Sequence, residues 1–191
     1  IESGKQEFSW KKVQLEELAA EVTEKLQDSA AKKKLKLTYH KPTEKLPAVV
    51  IDDGRIHEVM MNFVDNAVKY TSKGSVDVYI TNEKEMLTFC VKDTGKGMSE
   101  EGKSKLFQKF SRGEGSFKQH TEGLGLGLYV ATMMMRAHEG KIWADSEGEG
   151  KGSSFCFSVP IKSKHKDGEV SKIDGKIVEE VKAEDKKQTL K

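Results

Sequence analysis

Apolar residues recur along the chain with two different periods, and each period predicts one kind of element. Positions three to four residues apart among Glu, Lys and Gln are typical of helices with one face in a core. This spacing is found in residues 13–31, 55–70 and 128–138. Alternation of apolar and polar positions, which predicts strands, is found in residues 8–13, 35–39, 48–51, 75–81, 86–92, 141–145 and 153–159. The mixture predicts a layer of helices packed on a sheet.

Two polar segments interrupt this pattern. Residues 93–127 are rich in Gly, Ser and Lys and hold one short apolar patch around Phe107. A loop of that length inside a compact domain is usually functional, so we predict a lid over a binding site. After Ile161 the chain is charged with only scattered Val and Ile, which predicts a disordered tail or a fraying helix. We therefore expect one folded domain over residues 8–161 and a charged tail over residues 162–191.

The charge balance argues against a partner that is recognised through bulk electrostatics. Lys and Arg number 33 against 31 Asp and Glu, so the net charge of the 191 residues is only +2. Nucleic acids and anionic membranes attract strongly basic domains, and we expect neither as a partner of this chain. No apolar run reaches the roughly 18 residues that span a bilayer, which predicts a soluble domain.

Two cysteines, Cys90 and Cys156, each lie within an alternating apolar run. This placement predicts buried thiols on strands rather than a disulfide framework or a metal pair. Free thiols suit a reducing cytoplasm, which is the location we expect. Any attachment to a membrane is expected only through segments outside this sequence.

A polar stripe runs along the predicted helix over residues 55–70. Asn62, Asn66, Lys69 and Tyr70 fall at positions i, i+4, i+7 and i+8, which share one helix face. A solvated face is one interpretation of this stripe. Asparagine is a mediocre helix former, however, and amide oxygens one turn apart can serve as neutral ligands to Mg²⁺. Lys69 would then supply positive charge for phosphate oxygens.

The strand over residues 86–92 runs into the sequence Asp-Thr-Gly-Lys-Gly, which begins at Asp93. An ordinary turn is one interpretation of this sequence. A functional interpretation is that the Asp93 carboxylate accepts a hydrogen bond from the amino group of adenine and disfavours guanine, which presents a carbonyl oxygen there. Gly95 and Gly97 would let the backbone approach the base closely.

Residues 123–128 read Gly-Leu-Gly-Leu-Gly-Leu and lead directly into a predicted helix. Backbone N–H groups at a helix N-terminus, together with the helix dipole, favour a bound phosphate. A dinucleotide-binding fingerprint is excluded, because the glycine spacing differs and a polar segment rather than a strand precedes it.

Taken in order, these motifs resemble those of one superfamily. Residues 62–70 resemble the N box of the GHKL superfamily of ATP-binding domains, and residues 93–98 its first glycine box. Further matches to histidine kinases are the F box, the second glycine box and the closing G-x-G-[ST]-[ST]-F element, at residues 106–113, 123–128 and 150–155. The resemblance, to the catalytic domain of sensor histidine kinases, covers residues 8–160. It implies the Bergerat fold, an α/β two-layer sandwich with three helices on one face of a mixed β-sheet.

The family pattern implies a role for each matching residue. Asn66 would be the Mg²⁺ ligand with Asn62 in support, and Arg112 would be the lid cation that reaches the terminal phosphate. The implied catalytic set consists of these residues and Lys69. The implied ATP-binding residues are Asn66, Lys69, Tyr70, Asp93, Gly95, Gly97, Lys109, Arg112, Gly123, Gly125, Leu126, Gly127, Leu128 and Ser154.

Asn62 distinguishes kinases from hydrolytic members of this superfamily. ATPases have a Glu one turn before the metal-binding Asn to activate water, whereas this chain has Asn62 there. Glu58 lies about 12 Å before Asn66 along a helix, by the rise per residue. An amide is not a base at neutral pH, and a neutral histidine acceptor is already a nucleophile. The resemblance therefore implies an ATP-dependent protein-histidine kinase of two-component signal transduction.

The phosphorylated histidine is expected on another domain. His57-Glu58 and His138-Glu139 lack the basic residue and the proline of the family motif H-[ED]-x-[RK]-x-P, so we expect both histidines to be structural. Residues 1–7 resemble the end of the dimerisation and phosphotransfer domain and its linker. Expected partners are that domain, in a homodimer of a longer protein, and the receiver domain of a response regulator. Two alternatives stay open, an anti-sigma serine kinase and a regulatory module that binds ATP without transferring phosphate.

Overall fold

The computed structural model describes residues 5–106 and 124–174. The helices within these ranges are α1 (Leu15–Lys32), α2 (Asp53–Tyr70), α3 (Glu100–Lys105) and α4 (Leu124–Ala137). The strands are β1 (Lys5–Ser9), β2 (Lys11–Val13), β3 (Lys36–His40), β4 (Val49–Ile51), β5 (Ser75–Glu83), β6 (Met86–Asp93), β7 (Lys141–Asp145), β8 (Ser153–Pro160) and β9 (Val170–Asp174).

The main sheet has five strands in the order β3-β5-β6-β8-β7. β3 runs parallel to β5 and the other neighbours are antiparallel, so the sheet is mixed. Along β5, Val76, Val78 and Ile80 are buried on one face of the sheet. α1, α2 and α4 pack on that face and share one hydrophobic core with the strands. The predicted two-layer α/β sandwich, with three helices on one face of a mixed sheet, is therefore confirmed.

Both ends of α2, the helix that carries the polar stripe, are held by side chains. Asp52 is the N-cap residue, and its Oδ1 accepts a hydrogen bond from the backbone N of Arg55 at 3.0 Å. A cap of this kind contributes about 1 kcal/mol to helix stability. At the other end, Lys33 Nζ donates to the backbone oxygens of Val68 and Lys69, at 2.6 and 2.8 Å. The polar stripe of α2 therefore has a fixed position on the core.

The helices α3 and α4 differ from the sequence predictions. α3 lies inside the segment predicted to be a lid, and its N-cap Ser99 accepts a hydrogen bond from the backbone N of Gly102 at 3.1 Å. α4 begins at Leu124, whereas the sequence placed its start at residue 128, because glycine is an unfavourable helix residue. Among the helices in the described parts of the chain, none combines the length and apolarity that crossing a membrane requires.

The chain after Ile161 differs from the predicted disordered tail. Residues 162–174 have defined structure and end in β9, which pairs antiparallel with β1. Residues 5–7, predicted to belong to a helix end and linker, are part of that strand pair. Composition indicated disorder because the segment is charged, but pairing with a distant strand satisfies its backbone without many apolar residues. Residues 175–191 lie outside the described residues.

The prediction of free thiols is also wrong. Cys90 on β6 and Cys156 on β8 are directly opposite each other in the antiparallel register and form a disulfide bond. Both are almost fully buried. The sequence did not show this pairing, because 66 positions separate the two cysteines and only the strand order brings them together.

Candidate nucleotide-binding site

The polar stripe of α2 is partly buried and meets the glycine-rich start of α4. Asn66 is only 7% exposed, and its Nδ2 donates a hydrogen bond to Asn62 Oδ1 at 2.9 Å. Gly127 of α4 lies against the Asn62 amide so closely that a Cβ at position 127 would overlap Asn62 Nδ2. The sequence predicted two separate motifs here, and the structure brings them into direct contact. The interpretation of the stripe as a solvated face does not explain the burial of Asn66.

Lys69 and Tyr70 follow on the last turn of α2. The Lys69 Nζ lies 5.6 Å from the centre of the Tyr70 ring, a cation–π distance. The Lys69 side chain is exposed and the Tyr70 side chain is half-buried. The ammonium group therefore stands at the surface end of the stripe, beyond the buried Asn66.

Asp93 ends β6 as a buried carboxylate with 5% of its surface exposed. Its Oδ1 accepts a hydrogen bond from the backbone N of Gly95 at 2.7 Å. Burial raises the pKa of Asp93 above its usual value, and hydrogen bonds from the backbones of Gly95 and Ser153 partly oppose that rise. The bond to Gly95 is typical of an Asx turn, so the turn interpretation is part of the structure. A surface turn would not bury the carboxylate, however, and this one is a strong acceptor in a dry position.

The loop after Asp93 is packed too closely for side chains at its glycines. A Cβ at Gly95 would lie 2.7 Å from the Tyr70 carbonyl oxygen and 2.8 Å from both Asp93 Oδ1 and Thr71 Oγ1. Gly97 has a φ of +65°, and a Cβ there would overlap the carbonyl oxygen of Gly148. Both positions therefore require glycine because of contacts within the protein, and the close approach of this backbone to a base stays a prediction.

A second loop, residues 146–152, holds the first loop in place. The Ser146 Oγ accepts a hydrogen bond from the backbone N of Met98 at 3.0 Å and donates one to the Gly152 carbonyl oxygen at 2.7 Å. The backbone N of Gly152 donates to the Gly95 carbonyl oxygen at 3.1 Å. The closing glycine element of the sequence therefore supports the turn that follows Asp93.

The side chains of two predicted ATP-binding residues are not directed toward Asp93 or the polar stripe. Ser154 pairs with Lys92 and so points to the sheet face opposite Asp93, because side chains alternate along a strand. Ser153 is the residue opposite Asp93, and it is buried. The Leu128 side chain is fully buried in the core, so it packs α4 instead of lining a pocket.

The remaining predicted site residues divide into two groups. The backbones of Gly125 and Leu126 belong to the first turn of α4, where helix N–H groups lack partners within the helix. The predicted lid residues Lys109 and Arg112 and the glycine-box residue Gly123 lie outside the described residues, and their roles stay predictions.

Sequence reasoning missed several residues of this site. Ser146 and Thr71 carry no motif of their own, and both become visible only when two loops meet. The position of Ser153 could have been found, because the alternation of β8 and the register with Asp93 fix its face. The fully buried Thr71 hydroxyl has no hydrogen-bond partner among the described residues.

Comparison with known proteins relates this site to one family. The family model described as "Histidine kinase-, DNA gyrase B-, and HSP90-like ATPase" matches residues 51–163. The chain is 37% identical over 155 residues to the adaptive-response sensory kinase SasA of Crocosphaera subtropica, covering 77% of this chain and 38% of that protein. It is 38% identical over 122 residues to the sensor histidine kinase WalK of Bacillus subtilis, covering 62% of this chain and 20% of that protein. The chain thus spans about two fifths or less of these relatives.

Solved structures show the same fold. Full-length ShkA in complex with AMPPNP aligns with a TM-score of 0.71 at 28% identity, covering 83% of this chain and 32% of that chain. The nucleotide-free catalytic domain of histidine kinase ThkA aligns with a TM-score of 0.66 at 28% identity, covering 82% of this chain and 95% of that chain. The family match spans more than half of the chain and includes α2, Asp93 and α4. This chain belongs to the family of histidine kinase-, DNA gyrase B- and HSP90-like ATPases, as an ATP-binding domain of the histidine kinase type.

Proposed function

We propose that this chain binds Mg·ATP and transfers the γ-phosphate to a histidine on a separate helical domain, as the catalytic part of a two-component sensor kinase. The contact between Asn62, Asn66 and Gly127 carries this proposal, because it joins the predicted metal ligand to the predicted phosphate cradle. The buried Asp93 supplies the acceptor for the adenine amino group.

The donor set of α2 fits a magnesium ion. Asn66 Nδ2 faces Asn62, so the Asn66 amide oxygen is directed to the other side. Mg²⁺ is usually held by one or two protein oxygens together with phosphate oxygens and water, so one buried amide oxygen is a sufficient protein contribution. Bound there, the ion would neutralise charge on the phosphate oxygens. Lys69, one turn beyond Asn66, adds a second positive charge at the exposed end of the stripe.

The same stripe favours transfer over hydrolysis. Water activation needs a base beside the metal ligand, and the nearest position on the stripe holds Asn62, whose amide oxygen already accepts a hydrogen bond from Asn66. Glu58 lies two turns earlier on α2 and is exposed. Transfer to a neutral imidazole needs positioning and charge stabilisation rather than a base in this domain.

A labelling experiment tests this function. We expect the chain incubated with Mg·[γ-³²P]ATP to bind nucleotide, hydrolyse it very slowly and remain unlabelled. Addition of the helical acceptor domain of the same protein as a separate chain should give acid-labile phosphohistidine on that domain. The yield should be low, because the covalent tether that raises the local concentration is missing.

Each other outcome favours a different member of the superfamily. Rapid turnover of ATP by the chain alone would indicate an ATPase. Phosphate on a serine of a supplied protein would indicate an anti-sigma kinase. Firm binding with no transfer to the helical domain would indicate a regulatory module.

A further inference from the structure

The segment after β8 returns across the molecule to the segment before α1. We call residues 162–174 the strap and residues 5–13, which comprise β1, Trp10 and β2, the N-terminal ribbon. The strap passes the end of α4, where the backbone N of Lys164 donates to Glu139 Oε1 at 3.1 Å. It then pairs with the ribbon through β9 and β1, from Lys5 opposite Asp174 to Ser9 opposite Val170. The two segments are thus joined although they lie at opposite ends of the described chain.

The strap and the ribbon are also connected around Trp10. Trp10 is fully buried and its ring stacks on the His165 ring, with 3.5 Å between centroids. Its Nε1 donates to Ser171 Oγ at 2.7 Å, and its backbone N donates to the Glu169 carbonyl oxygen at 2.9 Å. Two positions further, the backbone N of Lys12 donates to Asp167 Oδ1 at 2.9 Å. Side chains and backbone of the strap therefore accept the hydrogen bonds from the outward-facing N–H groups of Trp10 and Lys12.

On its inner side, the ribbon contacts the ends of the two helices that carry the candidate site. The backbone N of Ser9 donates to Asp52 Oδ2 at 2.9 Å, and Asp52 is the N-cap of α2. The backbone N of Asp52 donates to His138 Nε2 at 2.9 Å, just after the end of α4. The Trp10 and His138 rings lie 4.8 Å apart, edge to face. The ribbon is thus sandwiched between the strap and the junction of α2 with α4.

We propose that the strap locks the N-terminal ribbon onto the junction of α2 and α4, and thereby fixes the direction in which preceding chain leaves the catalytic domain. A strand held on one edge only, by the short β2–β4 pairing, would pivot easily. Held from both sides, the ribbon sets the position of the ATP site relative to a preceding helical domain. Within the described part of the chain, the hydrogen bonds and ring contacts of the strap go to residues outside the candidate site, so its proposed role is to position that site. The positioning of the ATP site relative to a helical domain, unlike the lock itself, rests on the proposed function.

Two truncated chains test the lock. One ends at residue 161 and lacks the strap, and the matched control ends at residue 174 and keeps it; both retain every described site residue. We expect hydrogen exchange of the Trp10 and Lys12 amides to accelerate by about tenfold or more in the shorter chain and to stay unchanged in the control. Affinity for Mg·ATP should stay within about twofold in both. Unchanged exchange at both amides in the shorter chain would overturn the proposal.

A double variant of the untruncated chain controls for general unfolding of the truncated chain. His165→Ala combined with Ser171→Ala removes the stacking partner and the hydrogen-bond acceptor of Trp10 and should accelerate the same amide exchange. Lys172→Ala, an exposed strap position, is its control and should have no effect. If the double variant leaves the Trp10 amide as protected as the control does, the strap does not hold the ribbon through Trp10.

Positioning is separated from simple stability by comparing two transfer geometries. With the helical acceptor domain joined ahead of residue 1, loss of the strap should reduce phosphotransfer several-fold, whereas transfer to the same domain supplied as a separate chain should not change. An equal fall in both geometries would show that the strap only supports the ATP site. If the unmodified chain binds no ATP at all, the proposed function fails, while the exchange measurements still decide whether the strap locks the ribbon.

Discussion

Asn66 and Asp93 are buried polar side chains that a stable core does not need. A buried amide or carboxylate costs free energy unless its hydrogen bonds are completed, and each of these side chains has only part of its capacity used within the described residues. Asn66 offers an amide oxygen and Asp93 offers a carboxylate whose pKa burial has raised. Such a pair fits a ligand that brings a cation to one residue and an amino group to the other.

Asn66→Ala should abolish the Mg²⁺-dependent part of ATP affinity and leave the fold intact. The substitution removes the proposed metal ligand, and alanine is a better helix residue than asparagine. Isothermal titration calorimetry with and without Mg²⁺ measures the effect, and circular dichroism checks the fold. Asp65→Ala, an exposed position one residue earlier on α2, is the matched control. Equal Mg·ATP affinity in the Asn66 variant and the unmodified chain would refute the assignment.

Asp93→Asn should separate stability from nucleotide selection. Burial disfavours the charged form of Asp93, so a neutral isostere that still accepts from Gly95 should keep or raise the melting temperature without nucleotide. The asparagine nitrogen would face the adenine amino group or the guanine carbonyl oxygen, so we expect weaker ATP binding and a smaller preference over GTP. Loss of a hydrogen bond to a charged group corresponds to about 1.5 to 3 kcal/mol. Inorganic triphosphate should bind as before; an unchanged ATP affinity would place the base elsewhere.

At the scale of elements, α2 and α4 form the candidate site together and come into close contact at Gly127. Helices that approach this closely need a residue without a side chain where they cross, and Asn62 occupies the space that a Cβ would fill. The polar stripe of α2 and the glycine box of α4 are therefore positioned by one another. Neither helix could present its half of the site if the other were displaced.

Gly127→Ala should destabilise the chain and weaken ATP binding, because its Cβ would overlap the Asn62 amide. Overpacking of this kind typically costs about 1–3 kcal/mol. In a double-mutant cycle, Asn62→Ala combined with Gly127→Ala should recover most of the lost stability, since the obstructing amide is gone. Chemical denaturation of the four proteins gives the coupling energy. Additive effects of the two substitutions would show that the residues are not in contact.

The sequence predicted most elements whose signal is local. The helix α2 and the strands β5 and β6 follow from their apolar periods, although α2 begins at Asp53, two positions before the predicted residue 55. Local sequence patterns did not predict the structure of segments that depend on a partner far along the chain. The composition of the strap is typical of disorder, and its partner residues lie 161 to 169 positions earlier in the chain. The closing motif predicts Ser154 for the site although Ser153 is opposite Asp93, because a motif does not show which face of a strand a residue occupies.

At the scale of the whole molecule, long-range connections close the chain on itself. The disulfide between Cys90 and Cys156 ties β6 to β8, and the strap ties the end of the described chain to its beginning. Such links restrict the unfolded chain or join distant segments of the folded one, so their loss should be visible in global stability.

Reduction of the disulfide should lower the melting temperature of the intact domain. In the chain-entropy model, a bridge between positions 66 apart contributes about 4 kcal/mol by restricting the unfolded chain. Thermal unfolding with and without a dithiol reductant measures the loss. The variant Cys90→Ala combined with Cys156→Ala should melt near the reduced chain and no longer respond to reductant. A response that persists in this variant would assign the effect to something other than the bridge.

The buried junction at His138 should make the fold sensitive to mild acid. Asp52 donates its backbone N–H to His138 Nε2, and His138 Nδ1 lies 2.7 Å from the Met134 carbonyl oxygen, an arrangement that requires a neutral ring protonated at Nδ1. Burial is the main reason that the pKa of His138 falls from 6.5 to about 4. The bond to the Met134 oxygen and the Asp52 carboxylate oppose this fall, and the neighbouring His165 adds to it.

Below pH 6.5 the unfolded chain therefore takes up a proton at this histidine that the folded chain refuses until about pH 4. Stability should fall across that window, by about 3 kcal/mol in total for a shift of this size. Asp93 has the opposite sign, because its raised pKa favours folding as the carboxyl group becomes protonated, so the two effects must be separated. His138→Gln provides the comparison, since its amide can accept from Asp52 but does not titrate. We expect the variant to be less stable at pH 7.5 and to lose less stability than the unmodified chain when the pH is lowered to 5. Parallel pH profiles from urea denaturation would show that His138 does not set the acid sensitivity of the junction.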